Sequence, residues 1–241
     1  MDFEDSPEEA AYRARCRAFL DSVAERRKPG EVKGYRRGED APGAMAAAKA
    51  FQRKKWEAGF AGITWPKEGG GQGGTPIQQV IYNQEEAQYK TLAGIFGLGL
   101  GMCIPTLCRW GTQEQRDRYA PPALRGEEVW CQFFSEPAGG SDLGALRTRA
   151  ERDGDEWVIN GQKIWTSMAH EADFGVLIAR SDFDKPKHEG LTFFFLSTKT
   201  PGIEMRRIKQ MSGSAHFNEV FFNDVRIPDS QRLGPVNGGW K

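Results

Sequence analysis

Clustered cysteines and a long uninterrupted hydrophobic run are both missing from this chain of 241 residues. Its four cysteines, Cys16, Cys103, Cys108 and Cys131, lack the short paired spacing of a zinc or redox motif, so we interpret them as buried thiols. The most apolar stretch, residues 95–107, is too short and too interrupted by glycine and proline for a membrane span. The chain opens on acidic residues, without a secretory signal. These absences favour a cytoplasmic protein.

An excess of charge of either sign is absent as well. Lys+Arg and Asp+Glu are equal at 33 each, so no overall field attracts nucleic acid or an anionic membrane. His170, His188 and His216 are scattered without the spacing of metal ligands, so we expect no metal site. The adjacent carboxylates Glu85 and Glu86 point in different directions on a helix. We find no convincing general base, and we assign no catalytic residue.

Signals for helix starts dominate the first half of the chain. Capping boxes with an N-terminal hydroxyl begin at Ser6, Thr75 and Thr112. Apolar spacing predicts two further helices, over residues 43–59 and 92–110. We therefore predict an N-terminal helical domain over residues 1–126.

Beyond residue 122 the pattern becomes strand-like, with short runs rich in β-branched and aromatic residues. Asn160-Gly161 predicts a two-residue hairpin turn, and Pro201-Gly202 and Asn223-Asp224 predict further reversals. No helices separate these runs, which favours an antiparallel β-barrel or sandwich over a doubly wound nucleotide fold. We expect an α+β multidomain chain: the helical domain, a middle β domain over residues 127–233, and a linker over 234–241.

Two motifs lie within the β region. Residues 130–143 read as a strand that enters a Gly-rich loop, and residues 159–167 end in Trp165, Thr166 and Ser167. An aromatic ring beside two hydroxyls can flank a planar cofactor with heteroatoms, such as a flavin. Two ordinary alternatives stay open, because Gly, Ser and Asp also form simple turns and a tryptophan is usually a core residue.

Together, Phe134-Ser135-Glu136-Pro137-Ala138-Gly139-Gly140-Ser141-Asp142 and Asn160-Gly161-Gln162-Lys163-Ile164-Trp165-Thr166-Ser167 resemble the acyl-CoA dehydrogenase family. The resemblance extends over essentially the whole chain. It implies an N-terminal helical domain, a middle β domain and a C-terminal four-helix domain, with FAD between the last two. The third of these domains is absent from the sequence.

The resemblance also implies site residues. It assigns flavin contacts to Gln132, Phe134, Ser135, Trp165, Thr166 and Ser167. It assigns the arm of a CoA thioester to Ser141. The implied reaction is α,β-dehydrogenation of an acyl-CoA to the 2-enoyl-CoA, in which a glutamate of the C-terminal domain removes the α-proton and the β-hydride passes to the flavin. The implied partners are acyl-CoA, an electron-transfer flavoprotein or similar acceptor, and further copies of the chain.

Two alternatives to this function stay open: an acyl-CoA oxidase, and a non-catalytic module that binds acyl-CoA or a partner. A glycine-rich helix before the middle domain bears on the substrate, because the resemblance places that helix along the acyl pocket. Glycine inside a helix costs about 0.5 to 1 kcal/mol relative to alanine, so Gly97 and Gly101 suggest room for a branched or ring-bearing acyl group. Close helix packing or a kink near Pro105 is the ordinary alternative.

Overall fold

The computed structural model of this chain describes residues 4–31 and 41–241. The chain divides into two compact units. The first comprises Met1–Ile95 with Asp117–Glu127, and the second comprises Phe96–Arg116 with Glu128–Lys241.

The described residues of the first unit include the α-helices α1 (Pro7–Val23), α2 (Ala44–Glu57) and α3 (Pro76–Glu86). Helices α1 and α3 begin at the predicted capping boxes, in which Ser6 and Thr75 each accept from a backbone N–H three residues on. Each helix also has proline at its first position, where a missing N–H costs nothing. The predicted starts of α1 and α3 and the predicted helix at 43–59 are confirmed.

Apolar side chains from these helices and the loop after α2 form one core. Its buried members are Cys16, Leu20, Phe51, Phe60, Ile63, Ile81, Tyr82 and Tyr89. At its edge, the buried carboxylate of Glu85 accepts from Arg13 at 3.2 Å and from Arg17 at 3.0 and 3.1 Å. Burial opposes ionisation of Glu85, but the two guanidinium groups outweigh it and lower the pKa of this carboxyl.

The segment predicted as one helix over 92–110 is instead three short helices of different kinds. A 3₁₀-helix (Ala93–Phe96) precedes a π-helix (Gly99–Cys103), and α4 (Ile104–Trp110) follows. Pro105 has no N–H to donate to the carbonyl of residue 101, so a regular α-helical ladder cannot pass through this point. Helix α5 (Gln113–Leu124) then begins at the third predicted box, where Thr112 and Gln115 bond reciprocally.

The stretch Ala93–Trp110 has a mean hydropathy of 1.3 over 18 residues. By length and composition alone this stretch, which extends beyond the run of residues 95–107 judged too short above, could cross a membrane. A core helix of a soluble protein meets the same criterion. Cys103, Ile104 and Leu107 of this stretch are fully buried in the chain.

The second unit is built on one sheet of eight strands. They are β1 (Trp130–Phe133), β2 (Arg149–Asp153), β3 (Glu156–Ser167), β4 (Phe174–Arg180), β5 (Leu191–Ser197), β6 (Ile203–Ile208), β7 (Phe217–Pro228) and β8 (Arg232–Leu233). The order in the sheet is β6-β7-β3-β2-β4-β5-β8, and β1 pairs in parallel with β4. Short 3₁₀-helices lie at Lys67–Gly69 in the first unit and at Leu143–Ala145, Ala169–Glu171 and Asp229–Gln231 in the second.

The sheet is mostly antiparallel, as predicted, but it is open and does not close into a barrel. Strands β2 and β4 pair in parallel at a single position, Arg149–Arg180. The helical part followed by a β domain confirms the predicted α+β class.

The hairpin predicted at Asn160-Gly161 is wrong, and so is the reversal predicted at Asn223-Asp224. Strand β3 runs straight through the first pair and β7 through the second. The two pairs face each other in a β-bulge, where the register changes between Ile159 and Gly161. Asn160 and Asp224 bond reciprocally at 2.9 Å across it. The turn residues therefore stabilise an irregularity inside a strand pair, and the β2–β3 turn lies at Gly154 instead.

Replacing Gly161 with alanine should destabilise the β unit. A Cβ at this position would lie 2.7 Å from Thr148 Cα and 2.6 Å from its hydroxyl oxygen, and backbone cannot yield as a flexible side chain can. Overpacking of this kind costs about 1 to 3 kcal/mol. Chemical denaturation should show this loss for Gly161→Ala, whereas Gly140→Ala, where a Cβ meets nothing within 4 Å, should be nearly neutral. Equal stability of the two variants would contradict the prediction.

Candidate functional site

The two sequence motifs meet where β1 ends. The N–H of Ile164, on β3, donates to the carbonyl of Ser135 at 2.8 Å. The ammonium of Lys163 donates to the carbonyl of Phe134 at 3.0 Å and to the carboxylate of Glu136 at 2.9 Å. Backbone and side-chain hydrogen bonds therefore hold the first motif against β3. The two motifs must lie side by side in this way if they form one cofactor site.

Lys163 and Glu136 form a buried ion pair at this junction, with Lys163 fully buried and Glu136 only 8% exposed. The second oxygen of Glu136 accepts from the N–H of Arg147 at 2.6 Å, and the first also accepts from the N–H of Thr148 at 2.8 Å. The cation of this pair, Lys163, belongs to the second motif, and the sequence analysis gave it no role.

Burial shifts the pKa of Lys163, whereas hydrogen bonds and charge shift that of Glu136. Burial alone would raise the pKa of Glu136, but the charge of Lys163 and the hydrogen bonds from Thr148, Lys163 and Arg147 together lower it. Burial also lowers the pKa of Lys163, and the attraction of Glu136 only partly opposes this. Hydrogen bonds and the ion pair thus hold both groups at the junction.

Trp165 does not belong to the core of this chain. A register shift between Lys163 and Thr166 lets the backbone of Trp165 adopt φ 60°, in the left-handed region that non-glycine residues rarely occupy. Its ring is 55% exposed and touches Phe217 edge-on at 5.9 Å between ring centroids. The interpretation of Trp165 as a core residue is therefore wrong. Backbone strain at an exposed aromatic residue is typical of functional positions.

Two polar atoms of the predicted flavin set are buried without a partner within the described ranges: Gln132 Oε1 and Thr166 Oγ1. A buried polar group left unpaired costs about 1 to 3 kcal/mol, so such atoms are usually satisfied by a ligand or water. Ser135 and Ser167, partly exposed, add two hydroxyls. An amide oxygen, three hydroxyls and an exposed aromatic ring fit the heteroatom edge and face of a flavin.

Thr166 is held by an inner network that sequence reasoning missed. Fully buried Asn218, its partner on β7, donates to the carbonyl of Thr166 at 2.9 Å and pairs with His170 at 3.0 Å. An asparagine at the position that alternates with Val220 and Phe222 on the buried face of β7 was the available signal.

The remaining predicted residues have different surroundings. Phe134 lines a cleft of about 250 Å³ together with Met102, Trp110 and Phe193. Ser141 is exposed in the loop after β1. Gly97 and Gly101 are exposed, and a Cβ at either would meet nothing within 4 Å in this chain. Close packing explains neither of these two glycines, although it does explain Gly99, where a Cβ would lie 3.1 Å from Trp130 Cβ.

Comparison with known proteins covers both units. The family model for the acyl-CoA dehydrogenase N-terminal domain matches residues 6–127, and the model for the middle domain of the same family matches residues 131–225. The chain is 42% identical over 214 residues to acyl-CoA dehydrogenase FadE34 of Mycobacterium tuberculosis (strain ATCC 25618 / H37Rv). That alignment covers 88% of this chain and 30% of the relative.

Two solved structures resemble the whole chain, each with a TM-score of 0.82. The ChsE4-ChsE5 complex from Mycobacterium tuberculosis is 30% identical, and the Tcur3481-Tcur3483 steroid ACAD is 33% identical. The alignments cover 100% of this chain but only 59% and 60% of those chains. The order of helical and β parts, the joined motifs and both domain matches agree: the chain belongs to the acyl-CoA dehydrogenase family.

Proposed function

We propose that this chain supplies the flavin-facing wall and part of the thioester site of an enzyme that dehydrogenates acyl-CoA to 2-enoyl-CoA with FAD. The proposal rests on the end of β3. There Trp165 is exposed and has a strained backbone, and the next residue, Thr166, has a buried hydroxyl without a partner. When bound, FAD accepts the hydride that leaves the β-carbon of the substrate.

In this proposal, the residues of this chain bind the flavin and orient it. Trp165 would cover one face of the ring system, and Gln132 and Thr166 would offer their unpartnered atoms to its polar groups. Ser135 and Ser167 would add their hydroxyls. Lys163 and Glu136 fix the spacing between the two motifs, so that the contacts are set before the ligand arrives.

The α-proton base lies outside these 241 residues in this proposal, because the family resemblance places it in a C-terminal domain and the chain spans about 60% of the solved relatives. We therefore expect the isolated 241-residue chain to show no acyl-CoA turnover with a dye as electron acceptor. Turnover at the rate of an intact flavoenzyme would contradict this assignment.

An anaerobic titration of the full-length, FAD-loaded protein with a panel of acyl-CoA thioesters tests the function. A substrate should bleach the absorbance of the oxidised flavin, and the enoyl-CoA product should appear in equal amount. A flavin that no thioester reduces would overturn the proposal and favour a binding module. Fast reoxidation of the reduced flavin by oxygen would instead identify an oxidase.

We propose an electron-transfer flavoprotein or similar acceptor as redox partner, an oligomer as the working form, and the cytoplasm as its location. The two similar solved structures both carry the names of two different polypeptides, which supports assembly with another chain.

We also propose a ring-bearing or branched acyl group as substrate. Gly97 and Gly101 leave open space, and one similar structure is named a steroid ACAD. In the full-length enzyme, Gly101→Leu should raise KM for a ring-bearing acyl-CoA about tenfold or more while changing KM for a short straight-chain acyl-CoA little, because an added side chain would fill the wider pocket. An unchanged ratio of the two kcat/KM values would contradict the assignment.

A further inference from the structure

The backbone takes an unusual path at the end of β3. Trp165 has φ 60° and Met168 has φ 58°, so two residues other than glycine lie in the left-handed region within one short segment. Backbone in this region is strained and persists only where neighbouring groups fix it. Thr166 and Ser167, two residues of the candidate flavin site, lie between these positions. The groups that fix this segment therefore also fix the two hydroxyls.

Hydrogen bonds hold this segment at both of its ends. Before it, the N–H of Ile164 donates to the carbonyl of Ser135 at 2.8 Å. After it, the N–H of Met168 donates to the carbonyl of His216 at 2.7 Å. Between these two bonds the register of β3 against β7 shifts. The fully buried side chain of Asn218, on β7, supports the segment at this irregular point.

The contacts of the Asn218 amide determine its orientation. One terminal atom lies 2.9 Å from the carbonyl oxygen of Thr166 and 3.3 Å from that of His216. Carbonyl oxygens only accept hydrogen bonds, so this atom is the nitrogen, which donates to both. The other terminal atom is therefore the oxygen. Asn218 thus presents an acceptor to its third neighbour.

This third neighbour is His170, in the 3₁₀-helix Ala169–Glu171. Its Nδ1 lies 3.0 Å from the amide oxygen of Asn218. Because an amide oxygen does not donate, Nδ1 carries the proton, and the neutral ring is the Nδ1–H tautomer. The imidazolium form also meets this requirement, whereas the Nε2–H tautomer does not. The hydrogen bonds therefore run in one direction, from His170 through Asn218 to the carbonyl of Thr166.

This direction couples His170 to the flavin-facing segment. The N–H of His170 polarises the Asn218 amide and strengthens it as a donor to Thr166. A buried amide oxygen that loses its donor is costly, so removal of the His170 proton would favour a different position of the whole amide. His170 follows the second motif in the sequence, yet it acts on a carbonyl inside that motif.

The same part of β7 also supports Trp165. Phe217, which precedes Asn218, contacts the ring of Trp165 edge-on, with 5.9 Å between the ring centroids. Successive residues of a strand point to opposite faces of a sheet, so Phe217 and Asn218 contact the end of β3 on opposite sides. A displacement of Asn218 would therefore reach both the ring of Trp165 and the hydroxyl of Thr166.

We propose that His170 and Asn218 are positioning residues for the flavin. The Nδ1–H of His170 orients the amide of Asn218, and this amide holds Thr166, so that its hydroxyl and the ring of Trp165 are in place before the cofactor binds. This inference rests on the proposed function. The ordinary alternative is a network that stabilises the fold and has no effect on the flavin.

The affinity of the full-length protein for FAD tests the inference. His170→Phe keeps an aromatic ring but removes the donor, so it should weaken FAD binding about 2- to 10-fold, the usual effect of one hydrogen bond. His170→Asn should bind FAD like the wild type, because its amide nitrogen is as many bonds from Cβ as Nδ1 is. Asn218→Ala removes the whole bridge and should weaken FAD binding about tenfold or more. His188→Phe makes the same change between β4 and β5 and should have no effect.

The reduction potential of the bound flavin separates positioning from a structural role. In anaerobic spectroelectrochemical titrations it should shift in His170→Phe and Asn218→Ala, because displaced polar groups alter the relative stability of the reduced flavin. It should stay at the wild-type value in His170→Asn and His188→Phe. Neutron diffraction from crystals of the full-length protein should show a proton on Nδ1 of His170, and a proton on Nε2 alone would overturn the inference.

So would equal losses of FAD affinity in His170→Phe and His170→Asn, or a His170→Phe variant that is less stable but keeps the wild-type affinity and potential. If Asn218→Ala does not fold, the two His170 variants decide. If thioesters bleach the flavin and His170→Phe binds FAD normally, only the positioning assignment fails. If no thioester bleaches it while His170→Asn keeps the affinity and potential that His170→Phe loses, only the dehydrogenase assignment fails.

Discussion

Lys163→Met should lower the free energy of unfolding by about 3 to 5 kcal/mol, the usual cost of removing one member of a buried ion pair. The side chain of Lys163 is fully buried against Glu136 and the carbonyl of Phe134. Methionine fills a similar volume but leaves the carboxylate of Glu136 without its cation. Urea denaturation of the wild type and the variant at neutral pH measures the difference.

The pH dependence distinguishes this mechanism from simple loss of packing. In the wild type the pKa of Glu136 is below its ordinary value of 4.5, so its contribution to stability is present above that value and is lost as the pH falls. Without Lys163, burial dominates and raises the pKa of Glu136 in the folded state. The stability deficit of Lys163→Met should therefore be largest at neutral pH and shrink as the pH falls. A deficit that stays constant with pH would indicate packing alone.

Two further variants serve as controls. Adding Glu136→Gln to Lys163→Met removes the uncompensated charge, so the double variant should be more stable than Lys163→Met alone at neutral pH. Lys199→Met changes an exposed lysine and should alter stability by less than about 0.5 kcal/mol. A double variant that is less stable than Lys163→Met alone would contradict this mechanism.

The sequence predicted the helices of the first unit well because local chemistry determines where they begin. A hydroxyl that caps the N–H groups and a proline at the first position act over four residues, and tertiary packing did not override them at Ser6 or Thr75. The same local logic failed at Asn160-Gly161. There Asn160 bonds to Asp224, which is 64 residues away in the sequence. A rule that predicts turns from neighbouring residues does not include such a partner.

The sequence predicted which segments form the candidate site, but not the contacts that hold those segments together. The motifs identified Trp165 and Thr166, and the structure adds their exposure, strain and missing partners. It also adds Lys163 and Asn218, which face inwards and whose roles depend on contacts between strands distant in sequence. A lysine within a strand usually points to solvent, so nothing local distinguished one that is fully buried.

Trp165→Ala in the full-length protein should weaken FAD binding by roughly 5- to 150-fold, since stacking of an aromatic side chain on a planar ring is worth about 1 to 3 kcal/mol. The flavin absorbance relative to that of the protein, after gel filtration at low protein concentration, measures the loss. Alanine keeps the Cβ and therefore the strain of the left-handed backbone at this position. Wild type and variant then differ in the aromatic ring and not in the backbone strain.

Because the ring is 55% exposed in this chain, the same change should alter the stability of the flavin-free protein by less than about 0.5 kcal/mol. Trp240→Ala is the matched control, since Trp240 is 44% exposed and stacks on His188, which lies between β4 and β5 in sequence. It should keep its flavin. Full FAD occupancy in Trp165→Ala would remove Trp165 from the cofactor site, and unfolding of the variant would show that its ring supports the fold through Phe217 instead.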